Sequence, residues 1–210
     1  ASSGYQSVLP LSLITRFLSD LVLDNANKED LSIKEKKQIE KEVNKVMNDK
    51  SLTDGVKFAM LRNISSRFKY SCFVNIVEEM ELNLYPESQR SVLFDLLSYA
   101  NKIELNRLVL TTHSPYVINY LTLAAKAFLL TQKVSANETL QERVKEVVPA
   151  DSAIDPARLR IYELKDGGVF RLSTYEGLPS DENFLNIQLG VTNELFDQLL
   201  EIEQEFDYKN

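Results

Sequence analysis

The chain has 210 residues, a formal net charge of −7, 44% hydrophobic residues, one Cys and no Trp, which is enough sequence for one globular domain with a real core. A single thiol, Cys72, forms no internal disulfide and supplies at most one ligand to a cysteine-rich zinc site, so a reducing, cytoplasmic setting is expected. The net acidity argues against a dedicated phosphate-backbone binder, and the longest apolar runs are broken by polar residues before the roughly 18 to 20 needed for a membrane span, so neither a membrane segment nor a secretory leader is expected.

The chain opens on Ala1 and runs from Ser2-Ser3-Gly4 straight into an amphipathic pattern, which suggests a truncated chain. Val8, Leu11, Ile14, Leu18 and Leu21 recur at helical spacing with Leu13 and Phe17 flanking, and Pro10 falls near the first turn, so one buried helix is expected. Residues 25–50 carry seven Lys against six Asp or Glu and few apolar residues; Ser32-x-x-Glu35 reads as a capping box opening a solvated helix. A shorter helix over 56–66 follows. Residues 71–77 are rich in β-branched and aromatic side chains and end abruptly at Glu78-Glu79, as a buried parallel strand does.

Pro86 starts a helix whose Val92, Leu93, Leu96, Leu97 and Ala100 share one face, and residues 108–112 form a second apolar strand. Strand, helix, strand implies a βαβ crossover in a parallel sheet, with functional groups gathered at the carboxyl ends of the strands. Those ends carry Glu78, Glu79 and His113. Ser114-Pro115 caps the next helix, expected from Tyr116 through Lys126 or beyond. Over 158–175, two alternating runs joined at Asp166-Gly167-Gly168 read as a β-hairpin. An acidic helix over 192–206 has Leu195, Phe196, Leu199, Leu200 and Ile202 on its core side.

Two carboxylates ending one strand beside an imidazole ending its neighbour are the groups nucleotide hydrolysis requires: one acid for the Mg²⁺ shell, one to orient and deprotonate water, and an imidazole to sense the γ-phosphate. Taken singly, the glutamates also read as a solvated strand end and His113 as part of a helix cap. Cys72 reads as a small hydrophobe of the strand, and the mixed charges of 25–50 as a solvated helix or partner-contacting arm.

Three blocks in order resemble the ATP-binding-cassette-like ATPases of the recombination and SMC-like type, among the bacterial AAA-type ATP-binding proteins. Residues 2–6 (SSGYQ) look like the signature motif, 73–86 (FVNIVEEMELNLYP) like the Walker B strand and D-loop, and 108–118 (LVLTTHSPYVI) like the H-loop strand and helix. The hairpin, Glu176-Gly177-Leu178 and the helix at Glu194-Leu195-Phe196-Asp197 resemble that subgroup's C-terminal end; residues 25–50 have no counterpart. The resemblance implies Glu78 near Mg²⁺, Glu79 as catalytic base, His113 as γ-phosphate switch, and Ser3, Gly4 and Gln6 closing over ATP held by a second subunit, hence a homodimer. Met80 stands where the family often has Pro, Tyr85 where it often has His, and Tyr5 where the signature often has a second Gly.

None of the six glycines is followed by Lys, so the chain has no Walker A loop to cradle phosphates. The expectation is therefore an α/β fold over 1–210: the C-terminal lobe of an ABC-type ATPase head with a P-loop NTPase-like parallel-sheet core, a charged helical insertion at 25–50 and a hairpin plus helix at 158–206. ATP and Mg²⁺ are the implied cofactors, and this chain alone is expected to be inactive without the Walker A lobe. A DNA or protein partner is open. The competing expectation is a non-catalytic interaction or scaffold module that keeps ATPase geometry without the activity.

Overall fold

A computed structural model describes residues 3–27, 32–66 and 71–208 of the chain. Helix α1 (Ser3–Asn27) buries a face rotated from the one its apolar spacing marks, with Val8 and Leu11 of that row packed against the core. Thr15, Ser19 and Val22 are buried, whereas Leu9, Leu13, Ile14, Phe17 and Leu18 are exposed. The Asn75 amide donates to Thr15 Oγ1 at 3.1 Å and the Lys102 ammonium reaches Asp20 at 3.1 Å, whereas the buried Ser19 hydroxyl has no hydrogen-bond partner among the described residues. Because the helix begins at Ser3, Pro10 lies well inside it rather than near its first turn, and an intrahelical hydrogen bond is lost there. By length and composition alone, Gln6–Asp24 also satisfies the requirement for a membrane span, which the unaided run lengths had argued against.

The charged segment folds as α2 (Ile33–Asn48), followed by α3 (Asp54–Ser66). The capping box forms: the Ser32 amide donates to Glu35 Oε2 at 2.8 Å, and the Glu35 amide to Ser32 Oγ at 3.3 Å. The two helices meet along Val46, which is buried, and Lys57 Nζ donates to the Met47 carbonyl at 3.1 Å.

Strand β1 (Val74–Val77), helix α4 (Pro86–Asn101) and strand β2 (Arg107–Leu110) form the expected unit, with the strands parallel and Val74 opposite Arg107 through Val77 opposite Leu110. The sheet is smaller and barer than expected. It has two strands, and although Val77 is buried, Val74 and Ile76 on the other face are 57% and 66% exposed. An apolar run reports that a strand tolerates burial on both faces; among the described residues only one face has a neighbour.

Helix α5 (Pro115–Lys133) completes the core: Val92, Leu93, Leu96 and Leu97 of α4 meet Val117, Leu121 and Ala124 of α5, with Val148 closing one end. Each such aliphatic side chain contributes about 1.5–3 kcal/mol when fully buried, so this helix pair outweighs a four-residue strand ladder as the main stabilising unit. Val148 is held there by α6 (Glu138–Val147), an element the sequence reading did not foresee, which is capped by Asn137.

Beyond it, β3 (Tyr162–Lys165) and β4 (Gly168–Arg171) form the expected hairpin, with Asp166 and Gly167 both at positive φ, 50° and 73°. That backbone is the type I′ turn whose twist suits paired strands. A second small hairpin, β5 (Thr174–Tyr175) with β6 (Leu178–Pro179), turns the same way at Glu176-Gly177. The last helix, α7 (Phe184–Asp207), starts well before residue 192 because Asn183 caps it, its side chain accepting from the Asn186 amide. Its expected core side is solvent-facing: Leu195, Phe196, Leu199, Leu200 and Ile202 are all exposed. The molecule is thus α/β with small separate sheets between long helices.

Candidate functional site

The parallel register sets the geometry at the carboxyl ends of β1 and β2. The Thr111 amide donates to the Val77 carbonyl at 3.1 Å, and the Glu79 amide returns to the Thr111 carbonyl at 3.0 Å and to its hydroxyl at 3.2 Å. This clamp holds Glu79 at φ 47°, a left-handed conformation that non-glycine residues adopt only when their surroundings enforce it. The consequence is a side chain turned toward the next strand's end, with Glu79 Oε1 3.4 Å from His113 Nε2. Both groups remain open to solvent, the imidazole most of all. Glu78 is exposed at the strand end.

Two further side chains, which the sequence reading missed, tie the loop after β1 to the loop after β2. The His113 amide donates to Glu81 Oε1 at 2.5 Å, while Glu81 Oε2 is buried without a hydrogen-bond partner among the described residues. Gln89, buried on α4, donates through Nε2 to the Leu84 carbonyl at 3.0 Å and accepts from Ser114 Oγ at 2.6 Å. Ser114 therefore occupies the N-cap position of α5 without capping it through its side chain; its hydroxyl is committed to Gln89. Gln89 was findable, since it lies at i, i+3, i+4 spacing with Val92 and Leu93 and is the polar member of an apolar stripe. Glu81 gave only the weaker signal of a third acid within four residues.

The first turn of α1 belongs to the same neighbourhood. Gly4 is half-buried against the turn that follows Glu79, with the Asn83 carbonyl next to its Cα. Gln6 is exposed in that turn of the helix. Ser3 begins α1, but its side chain, like that of Tyr5, lies outside the described residues, as does the whole of Ser2. The structure thus brings Gly4, the loop after β1 and the loop after β2 into one region, and joins Glu79 to His113 directly.

Among the described residues no group of three or more His, Cys, Asp or Glu could hold a metal ion. An all-protein cage for a cation is therefore not built here. The donor chemistry fits Mg²⁺ in its other common mode, in which one or two carboxylates bind and water and phosphate oxygens supply the remaining ligands. Compared with family models, curated proteins and solved structures, the chain matches none.

Proposed function

We propose that this chain is the C-terminal lobe of an ABC-like ATPase of the recombination and SMC-like type, with a P-loop NTPase-like sheet, and that in the intact cytoplasmic protein it serves ATP hydrolysis that drives a conformational change. The observation that carries this reading is the approach of Glu79 to His113, 3.4 Å apart at the carboxyl ends of adjacent parallel strands. Attack of water on a γ-phosphate needs a base for the water's proton and a donor for the phosphate oxygens. Glu79 takes that proton, and the imidazole beside it donates to the γ-phosphate.

Mg²⁺, held through Glu78, would supply charge neutralisation on the β- and γ-phosphates. The first turn of α1, with Ser3, Gly4 and Gln6, would present its helix N-terminus to the γ-phosphate of a nucleotide held by a second subunit, which makes the active form a homodimer. The grip on the remaining phosphates comes from a lobe carrying the Walker A loop that this sequence lacks, and that lobe also covers the bare Val74 and Ile76 face of the sheet.

The test is ATP turnover by the intact protein, with that lobe present, measured against protein concentration beside the Glu79→Gln variant. Turnover should rise faster than linearly with concentration and fall by about 10² to 10⁴ in the variant, the usual scale for losing a general base. Equal turnover in the two proteins would remove the catalytic reading and leave the non-catalytic scaffold.

A further inference from the structure

Two helices of this molecule carry opposite charges in the same pattern, and both patterns face solvent. On α7, Glu194, Asp197, Glu201 and Glu205 fall at i, i+3, i+7 and i+11, which sets them in one stripe along the helix. On α2, Lys34, Lys37, Lys41 and Lys45 fall at the same four intervals and make one stripe of the opposite sign. At 1.5 Å per residue each stripe is about 16 Å long. Helix α7 contains six acidic residues and no basic one, whereas α2 carries five Lys against three Glu.

The apolar surroundings match as well. Beside the acidic stripe, Leu195, Leu199, Ile202 and Phe206 run at i, i+4, i+7 and i+11, and every residue of α7 from 191 to 206 is exposed. Beside the lysine stripe, Ile33 and Met47 stand exposed at the two ends of α2, and α3 adds an exposed Phe58. A helix with a continuous apolar row ordinarily buries it. Glu194, Asp197 and Glu201 make no salt bridge among the described residues, and neither do Lys34, Lys37 and Lys41.

We propose that α7 of one molecule docks on the α2–α3 pair of a second copy, acidic stripe against lysine stripe. The occupant follows from charge. Pairing α7 with another α7 sets two wholly acidic helices together, and pairing α2 with α2 opposes two lysine stripes; α7 with α2 is the combination that satisfies both. Within one molecule Glu194, Asp197 and Glu201 meet no lysine among the described residues, and the start of α7 is fastened elsewhere: the Phe184 amide donates to Glu163 Oε1 at 2.7 Å, and the Asn186 amide group to Asn119 at 3.3 Å. In a two-fold pair the α7–α2 contact forms twice, doubling the buried area toward the roughly 1,200 Å² that stable association requires. This pairing needs no nucleotide and does not rest on the ATPase reading.

The test is the mass of the 210-residue chain in solution, by light scattering or sedimentation, with two charge-reversed variants. Glu194→Lys/Glu201→Lys cancels the charge of the acidic stripe and leaves the lysine stripe intact, and Lys37→Glu/Lys41→Glu does the converse. The unaltered chain should form dimers whose dissociation constant rises at least tenfold from low to high salt, and each variant alone should be at least tenfold weaker. Mixed one to one, the variants should regain dimers, since each then offers the stripe the other lacks. All four positions are exposed, so circular dichroism should be unchanged. Monomers at every concentration would overturn the proposal, as would dimers indifferent to salt or variants that do not rescue each other. Cross-links between α7 and α2 found only within single chains would overturn it too.

Discussion

A Cβ added at Gly4 would lie 2.9 Å from the Asn83 carbonyl oxygen and 3.3 Å from Leu84 Cδ2. The first distance is shorter than carbon and oxygen tolerate, and the atom it meets is backbone, in a turn where Asn83 already sits at φ 60°. Replacing Gly by Ala inside a helix ordinarily gains up to about 1 kcal/mol, and less in a first turn, whereas forcing extra volume into a packed contact costs about 1–3 kcal/mol. The packing cost wins. Gly4→Ala should therefore lower the urea midpoint at unchanged m-value, and a midpoint at or above that of the unaltered chain would show that the turn yields freely. The glycine thus answers a structural demand within its own chain, whatever it also offers a phosphate. Loss of nucleotide binding in this variant consequently carries weight only when its stability has been measured beside it.

Elements divide by whether their signal is local. The capping box of α2 is wholly local: two residues three apart exchange hydrogen bonds, and the helix they open makes few buried contacts besides Val46. Ser32→Ala should cost about 1 kcal/mol of local stability and shorten α2 at its start, read as loss of amide protection confined to its first two turns. Spread of that loss into α4 would mean that α2 is coupled to the core. The same locality made the β3–β4 turn legible from Asp166-Gly167, the start of α4 from Pro86, and the β1–α4–β2 unit from two short apolar runs around a periodic one. Glu79 and His113 were legible because parallel strands bring their carboxyl ends together.

What the spacing could not disclose is which apolar face finds a neighbour. In α1 only Val8 and Leu11 of the bulky row pack against the core, while Ile14 and Leu18 face outward and Thr15 and Ser19 inward; an Asn on β1 supplies the partner of Thr15. In α7 the row at Leu195, Leu199 and Ile202 is as regular as any in the core, yet none of the described residues covers it. Periodicity records what a face needs, and the neighbour that meets the need lies elsewhere in the fold or in another molecule. Glu81 and Gln89 escaped notice for the related reason that their partners, the His113 amide and the Ser114 hydroxyl, lie 32 and 25 residues away.

At the scale of the whole molecule, stability is concentrated in one place. The buried side chains of α4 and α5 form a single cluster with Val77 and Val148, while α2–α3 and the exposed length of α7 contribute almost nothing to it. Hydrogen exchange should reflect that division. With at least about 5 kcal/mol of global stability, amides of α4 and α5 that open only on full unfolding should be slowed by more than about 10³-fold, and those of α7 beyond residue 191 should exchange through local fraying in dilute protein. Raising the protein concentration should slow α7 and α2 together, since a docked helix must dissociate before its amides open, and should slow the globally opening amides of α4 and α5 as well, since association stabilises the folded chain alone. Salt should reverse that slowing in both helices to the same degree. Protection that rises in α7 alone would point to a contact between two copies of that helix, against the repulsion of its acids, and protection independent of concentration would place the cover for its apolar row within the single chain.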